Sequence, residues 1–313
     1  MSKYTRREFL ITAGKAGALV ALAGCGVGNK AAEPNRRRSE PGEAADKTLA
    51  IATGKDPAAL VAAAVGALGG ISAFVKKGDR VVIKPNASWA RSPENAATTN
   101  PQVAAAIVKL CKQAGAADVL VVDHLIDRPQ ELVLAITQIG PVCRAAGARV
   151  VAAGNQAMYR RITVPDASLL GEVLVIKEVL AADVFINVPI AKCHSDTTVT
   201  LGLKNLMGVV WNRQTWHTSE SVHRCIAEFG RAVRPDLTIL DANRILLTDG
   251  PKGPGKTKDV GQVIAGRDPA AVDAYGASLF GLKPDAVEHI RLAGEYRLGE
   301  TDLSKVKILK VQR

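Results

Sequence analysis

From residue 48 onward, short apolar runs bounded by polar or turn-forming residues alternate with longer alanine-rich stretches. The short runs are typical of strands buried on both faces, and the longer stretches predict helices that cover a sheet. This order predicts strands at residues 48–53, 80–84, 118–122 and 149–152, and helices at residues 57–68, 101–114 and 129–146. Because strand, helix and strand follow one another repeatedly, we expect an α/β fold: a mainly parallel sheet with helices on both faces and Rossmann-like layering.

Further apolar runs at residues 184–188, 237–240 and 258–266 predict three more strands. The pattern leaves open whether they extend the first sheet or build a second lobe, and we expect one α/β domain over residues 48–313. In open α/β sheets, ligands bind beyond the carboxyl ends of the strands. Those ends carry polar residues, namely Lys84, Asn86, Asp123, His124, Lys192, His194, Asp241 and Asn243.

The composition changes this picture little. Hydrophobic residues make up 47% of the 313 residues and aromatic residues only 4%, which favours an α/β protein over an aromatic-rich β-sandwich. The net charge of +11 allows nucleic acid, anionic lipid or an acidic small molecule as a partner. No predicted helix carries a run of Lys and Arg on one face, and few aromatic rings are available to stack on bases. We therefore expect no nucleic-acid partner.

The N-terminus predicts export. Arg6 and Arg7 form a twin-arginine pattern, and the apolar stretch that follows, up to Ala23, is too short to span a bilayer. Residues 22–25 (LAGC) resemble a lipobox, so we expect the twin-arginine export machinery to deliver the protein to the periplasm or cell envelope, with a lipid on Cys25 attaching it to the membrane. Ordinary cleavage after residues 21–23 is the alternative. Residues 26–47 are predicted to form a flexible linker.

The other cysteines show no C-x-x-C spacing, which argues against a zinc finger and leaves no iron–sulfur cluster motif in this chain. Cys111 and Cys143 lie in equivalent predicted helices, where burial on the core face is expected. An oxidising compartment permits disulfides, so the pairing state of these two residues and of Cys193 and Cys225 stays open.

Residues 250–257 (GPKGPGKT) match the phosphate-binding loop pattern G-x-x-x-x-G-K-T. That loop has to lie between a strand and a helix, whereas residues 258–266 predict a strand. Pro251 and Pro254 also lack the amide N–H groups that contact phosphate. Nucleotide hydrolysis is therefore not expected.

Histidines cluster in the second half of the chain. His194, His217 and His223 lie close together in the sequence, with Asp196 and Glu220 among them. Imidazole and carboxylate are ligands of zinc, iron and nickel, so the set predicts either a divalent metal site or histidines that only form hydrogen bonds.

Lysines bracket the same region. Lys192 and Lys204 flank His194, and Lys84 joins them if the strand ends converge. Cationic groups at strand ends suit a carboxylate or phosphate ligand, and the alternative is a set of solvated surface lysines. Gly202, Asn205 and Gly208 favour a shaped loop over a plain helix surface.

Taken together, these segments resemble the domain of unknown function 362 family over residues 48–313. The matching stretches are VVIKPN, ATTNPQVAAAIVKLCKQAGA, FINVPIAKCH, TLGLKNLMG, PDLTILDA, DGPKGPG and RDPAAVDAYGASLFG. The resemblance implies an α/β fold and, often, a twin-arginine leader, but no agreed reaction. Relatives with an added ferredoxin-like module carry cysteines that this chain lacks, and Cys193 stands where relatives often have Thr or His. The resemblance adds Lys204, Asn205 and Asp273 to the candidate site residues.

Two functions follow. The first is an enzyme in which Lys84, Asn86, Lys192, Lys204 and Asn205 hold a small anionic substrate, while His194 and His217 bind a metal ion or move protons. In that case Asp123 or Asp241 orients a histidine or serves as a base. The second is a ligand-binding or accessory lipoprotein of an envelope complex, without catalysis.

Overall fold

The protein is described here by a computed structural model that covers residues 46–219 and 221–313. Arg6, Arg7, Cys25 and most of the predicted linker lie outside these residues, as does Glu220. Among the helices that the structure does describe, none is long and apolar enough to cross a membrane.

Twelve strands are present in the described ranges. In chain order they are β1 (Thr48–Thr53), β2 (Arg80–Pro85), β3 (Asp118–Asp123), β4 (Arg149–Ala152), β5 (Tyr159–Thr163), β6 (Glu172–Ile176), β7 (Val184–Val188), β8 (Ile190–His194), β9 (Thr198–Thr200), β10 (Leu237–Leu246), β11 (Thr257–Gly266) and β12 (Lys307–Gln312).

Ten of these strands form one sheet, whose main path runs β12-β1-β11-β10-β7-β2-β3-β4. The central run β10, β7, β2, β3 and β4 is parallel throughout. β1 pairs parallel with β12, and β11 is antiparallel to both of its neighbours. The predicted α/β class with a mainly parallel sheet is confirmed, and the strands after Val188 extend the same sheet.

Ten α-helices connect or cover these strands within the described ranges. They are α1 (Pro57–Ala67), α2 (Pro101–Gln113), α3 (Gln130–Ile136), α4 (Ile139–Ala145), α5 (Lys177–Ala181), α6 (Gly202–Asn205), α7 (Gln214–His217), α8 (Val222–Ala232), α9 (Pro269–Ser278) and α10 (Glu288–Glu295).

Three helices begin with the same local device, an Asp or Asn cap followed by proline. The cap carboxylate or amide oxygen accepts an amide N–H of the first turn, and proline needs no partner there because it has no N–H. The pairs are Asp56-Pro57 for α1, Asn100-Pro101 for α2 and Asp268-Pro269 for α9.

The core lies on both faces of the sheet, because side chains alternate along each strand. In β1, Ala50 and Ala52 pack toward α1 and α2, whereas Leu49 and Ile51 pack toward α9 and α10. This arrangement confirms the predicted helices on both faces. Two core cysteines are also where they were predicted: Cys111 and Cys143 are buried free thiols on α2 and α4.

Two predicted elements differ from the structure. The single helix expected at residues 129–146 is divided into α3 and α4, because Gln138 adopts a left-handed conformation with φ of 60°. Restarting the helix at Ile139 places Pro141 in the first turn, where its missing N–H costs nothing. The strand expected to end at residue 240 instead runs to Leu246, with a register shift after Ala242.

Candidate functional site

A cavity of about 380 Å³ opens at the carboxyl edge of the parallel strands. Its wall is formed by residues that follow β2, by β8 and by the segment from β9 to α7. The structure thereby brings together residues from three distant parts of the sequence. The polar side chains that line it are Lys84, Asn86, Ser88, Lys192, His194, Ser195, Asp196, Thr200, Lys204, Asn205, Arg213, Gln214 and His217.

Lys84 forms a buried ion pair with Asp123 at the floor of the cavity. Its Nζ lies 2.8 Å from Asp123 Oδ1, because β2 and β3 are parallel neighbours and end side by side. The same ammonium donates to the Pro85 carbonyl at 2.7 Å and to Asn205 Oδ1 at 3.0 Å. Burial lowers the pKa of Lys84, and Asp123 opposes that shift. Asp123 does not line the cavity; it neutralises and holds Lys84.

Three buried amides carry the network across the floor. Asn205 Oδ1 accepts from Asn86 Nδ2 at 3.0 Å, and Asn205 Nδ2 donates to Asn187 Oδ1 at 2.9 Å. Asn86 Oδ1 in turn accepts from Lys192 Nζ at 3.1 Å. Each side chain fixes the next, so this part of the wall is rigid.

Lys192 is fully enclosed by oxygen acceptors. Besides Asn86, its Nζ donates to the carbonyl oxygens of Ala97 and Pro251. Burial and two neighbouring lysines lower the pKa of Lys192 to about 7. An ammonium with three acceptors has no donor left for a ligand, so Lys192 shapes the wall and adds positive charge.

Lys204 and Arg213 differ from Lys84 and Lys192 because each keeps a nitrogen without an acceptor among the described residues. Lys204 is only 9% exposed, and its Nζ has no hydrogen bond or ion pair with any residue that the structure describes. Arg213 is 5% exposed and donates from Nη2 to the His124 carbonyl at 2.7 Å. Its Nη1 is buried without an acceptor among the described residues. Both side chains line the cavity, Lys204 with an Nζ that has no partner among the described residues and Arg213 with a buried Nη1 that lacks an acceptor.

A turn after β8 orients the two histidines of the cavity. His217 Nδ1 lies 2.6 Å from Asp196 Oδ2, and the Asp196 amide donates to His194 Nδ1 at 3.1 Å. The rings stack with centroids 5.9 Å apart. Nδ1 of His217 carries a proton because it faces the Asp196 carboxylate. Nδ1 of His194 carries none because it accepts the Asp196 amide N–H. Neutral His217 thus keeps a lone pair on Nε2, whereas neutral His194 carries its proton there.

The surroundings keep both imidazoles neutral. Burial, followed by the charge of Lys204, lowers the pKa of His194 to about 3. The same two causes lower the pKa of His217, and Asp196 opposes them. At neutral pH the site therefore holds one histidine that can accept a proton and one that donates a hydrogen bond.

The predicted metal set is not assembled. His223 lies on α8 and pairs with His289 of α10, the two Nδ1 atoms being 3.2 Å apart, so it does not line the cavity with His194 and His217. Within the described chain, no group of three or more His, Cys, Asp and Glu side chains is placed to hold a metal ion. The assignment of His223 as a ligand beside the other two histidines is corrected accordingly.

Asp241 is also not a site residue, although it was predicted to be one. Because β10 continues through it, Asp241 is buried within the strand and does not line the cavity. Its carboxylate accepts from the Asn100 amide at 2.7 Å and from the Asn243 amide at 3.1 Å. It therefore anchors the start of α2, and Asn243 belongs to that arrangement rather than to the site.

Asp273 acts from outside the cavity. Its carboxylate accepts the amides of Gly202 at 2.6 Å and Leu203 at 2.9 Å, which fixes the start of α6. Since α6 carries Lys204 and Asn205, Asp273 positions two cavity residues without touching a ligand. Burial raises the pKa of Asp273 to about 7.

The loop with the phosphate-loop pattern closes one side of the cavity. It leads into β11 rather than a helix, as predicted, and Pro251 lines the wall. Its carbonyl oxygens accept hydrogen bonds from Lys192 and Arg91. A loop that directs carbonyl oxygens at cations does not bind phosphate.

Arg213 is the residue that the sequence analysis missed. It stands alone in the segment WNRQ, without a motif, at a position that the strand pattern does not assign. The available signal was the excess of polar residues between β9 and α8, which marks a functional loop without identifying its key residue.

The chain is similar to a protein family and to a protein of Synechocystis. The family described as "Domain of unknown function (DUF362)" matches residues 81–278. The "Thylakoid-associated protein sll1697" of Synechocystis is 29% identical over 252 residues, which cover 74% of this chain and 72% of that protein.

Two solved structures are similar to this chain at TM-scores of 0.46. One is a protein from Thermotoga maritima, 10% identical, and the other is the lactate racemase apoprotein from Thermoanaerobacterium thermosaccharolyticum, 12% identical. Each similarity covers 73% of this chain but only 60% and 56% of the respective structures, so the chain spans less than two thirds of either.

Proposed function

We propose that this chain, which belongs to the domain of unknown function DUF362 family, binds a small organic anion in its cavity. Its histidines then move protons on that ligand. The observation that carries the proposal is Arg213, a buried guanidinium whose Nη1 has no acceptor among the described residues. A buried cation without an anionic partner costs several kcal/mol, and an anionic ligand supplies what is missing.

The cavity suits an organic ligand rather than a bare inorganic ion. Its volume of about 380 Å³ lies in the range of small-molecule sites. Trp89, Ile126 and Met207 add apolar surface to the cationic wall. A ligand whose carboxylate or phosphate binds Arg213, and whose apolar part contacts these three side chains, matches both the cationic and the apolar part of the lining.

The histidines supply acid–base chemistry. His217, held by Asp196, has an Nε2 lone pair that removes a proton and can return it, and neutral His194 has an Nε2–H group that donates a hydrogen bond to the reacting oxygen. Both rings line the cavity that Arg213 enters. This arrangement favours a proton-transfer enzyme over a simple receptor.

Calorimetric titration with pyruvate, acetate and phosphate tests the anion site. We expect Arg213→Met to weaken binding of the preferred anion by about tenfold to a hundredfold, because a hydrogen bond to a charged group contributes roughly 1.5–3 kcal/mol. Arg149→Met, which removes an exposed arginine paired with Asp118, is the matched control. If Arg213→Met unfolds, Arg213→Lys is used in its place, because lysine keeps the positive charge. Equal affinities in the Arg213 and Arg149 variants would contradict the proposal.

Deuterium exchange tests the proton transfer. Wild-type protein in D₂O should exchange the protons next to the carbonyl of bound pyruvate, as followed by proton NMR, and His217→Gln should lose the exchange while retaining binding. Binding without any exchange in the wild type would favour a non-catalytic ligand-binding or accessory lipoprotein.

Location is a separate proposal, which rests on residues outside the described part of the chain. The twin-arginine pattern and Cys25 support export to the periplasm or cell envelope with a lipid anchor, and the Synechocystis relative is named as thylakoid-associated. Mass spectrometry of the mature protein decides: an acylated N-terminal Cys25 supports the anchor, whereas an unmodified N-terminus at Gly24 contradicts it. Cys25→Ser should release the protein from the membrane fraction.

A further inference from the structure

The three lysines of the cavity differ in what their Nζ atoms contact. Lys84 is ion-paired and has two further acceptors, and Lys192 has three oxygen acceptors. These oxygen acceptors occupy the hydrogen-bonding positions of both nitrogens, so neither nitrogen is open to a ligand. Lys204 has no hydrogen-bond partner among the residues described and is buried at the cavity wall. It is therefore the lysine whose nitrogen is available to a ligand.

The surroundings of Lys204 favour the neutral amine. Burial lowers its pKa to about 7, and the charges of Arg213 and Lys84 act in the same direction. Asp196 is the one acid that opposes them. A desolvated lysine beside other cations is the arrangement that activates an amine toward carbonyl carbon.

We infer that Lys204 is a nucleophile that forms an imine with the carbonyl carbon of a small 2-oxo acid bound in this cavity. The inference deepens the proposed function and rests on it, because Arg213 has to hold the carboxylate. It names the substrate class: an acid with a carbonyl next to the carboxylate, so that one end binds Arg213 while the carbonyl carbon meets Lys204 Nζ.

The step balances with groups that the cavity contains. The Lys204 lone pair forms the C–N bond while the carbonyl π electrons move to oxygen. One proton passes from nitrogen to that oxygen, which gives a carbinolamine. The hydroxyl then leaves as water after taking a second proton, and nitrogen forms the C=N bond. His217 and His194 line the same cavity: His217 Nε2 takes each proton from nitrogen and passes it to the oxygen, and neutral His194 donates a hydrogen bond from Nε2 to that oxygen.

Reductive trapping tests the inference on the full chain. The protein is incubated separately with pyruvate, glyoxylate and 2-oxoglutarate in the presence of sodium cyanoborohydride and then digested for peptide mass mapping. We expect one modified residue, Lys204, heavier by the mass of the acid less one oxygen atom. Trapping should rise as the pH passes about 7, because the amine is then neutral.

Matched variants separate chemistry from structure. Lys204→Arg removes the nucleophilic amine but leaves a cationic side chain, so it should abolish the adduct while retaining binding of the acid, whereas the exposed Lys256→Arg should leave the adduct unchanged. Arg213→Met should reduce trapping about tenfold or more at subsaturating acid. Because the site is mapped in the wild type, the result does not depend on any variant folding.

The failures are distinguishable. If an oxo acid binds in the calorimeter but no adduct forms, or the adduct is on Lys192, the inference is overturned while the anion site stands. The inference is also overturned if the protein binds only anions that lack a carbonyl group. If no anion responds to Arg213→Met, the proposed function itself fails.

Discussion

At the scale of single residues, the buried Lys84–Asp123 pair depends on the missing side chain of Gly208. A Cβ atom there would lie 2.3 Å from Asp123 Oδ1 and 2.5 Å from Lys84 Nζ. Both side chains are buried and bonded to each other, so neither can withdraw. We expect Gly208→Ala to lower the free energy of unfolding by about 1–3 kcal/mol, as measured by urea titration.

Gly66→Ala is the control for this substitution. Gly66 lies in α1, and a Cβ atom there meets nothing within 4 Å. Because alanine also restricts the unfolded chain, this variant should gain about 0.4–1 kcal/mol. A Gly208→Ala protein as stable as Gly66→Ala would show that the ion pair does not fill the space beside residue 208.

The positions of the residues that follow a strand were predicted in part, and their chemical roles stay predictions. Lys84, Asn86, Lys192 and His194 follow or end apolar runs, and all line the cavity. Asp241 also follows an apolar run, but the strand continues through it. Arg213 was missed because burial and the lack of an acceptor depend on the tertiary surroundings, which a local pattern does not contain.

At the scale of elements, α8 holds the loop before β6 through one carboxylate. Glu228 accepts the amides of Ser168 at 2.9 Å, Leu169 at 3.0 Å and Leu170 at 2.9 Å. Glu228→Gln replaces one acceptor oxygen by a donor, so we expect a loss of roughly 1.5–3 kcal/mol in the free energy of unfolding. Hydrogen exchange at Leu169 and Leu170 should accelerate, as followed by mass spectrometry.

Glu131→Gln controls for the loss of one negative charge. Glu131 is exposed and pairs with Arg144 on the surface, so its substitution should change stability by less than about 1 kcal/mol. Unchanged exchange at residues 168–170 in the Glu228 variant would mean that the loop is held by other contacts.

Element prediction succeeded where the chain is periodic and buried. The strands at residues 48–53, 149–152 and 184–188 have the predicted bounds. The hairpin of β5 and β6 and the edge strand β12 were not predicted, because their residues alternate between exposed and buried and lack continuous apolar runs. β11 pairs antiparallel with β10, which precedes it in the chain, and with the distant β1, and no local signal reports the second pairing.

At the scale of the whole molecule, the buried lysines make stability depend on pH. Burial, together with neighbouring cations, lowers the pKa of Lys192 and of Lys204 to about 7, far below the ordinary lysine value of 10.5. Between these values the unfolded chain binds more protons than the folded chain, so the free energy of unfolding rises with pH. From about pH 7 to about pH 8 we expect a gain of about 1 kcal/mol per lysine. Asp273, with its pKa raised to about 7, opposes part of this gain.

Urea titrations at the two pH values measure this gain, and Lys204→Met should reduce it by about half because one of the two lysines is removed. A wild-type free energy of unfolding that is flat or falls over this interval would contradict the low pKa values.

Binding of an anion to Arg213 inside the cavity can be observed in a crystal structure of the protein soaked in bromide and recorded at the bromine absorption edge. We expect an anomalous peak within hydrogen-bond distance of the Arg213 guanidinium, and its loss in Arg213→Met. An ordered cavity that contains only water, with bromide confined to the outer surface, would contradict it.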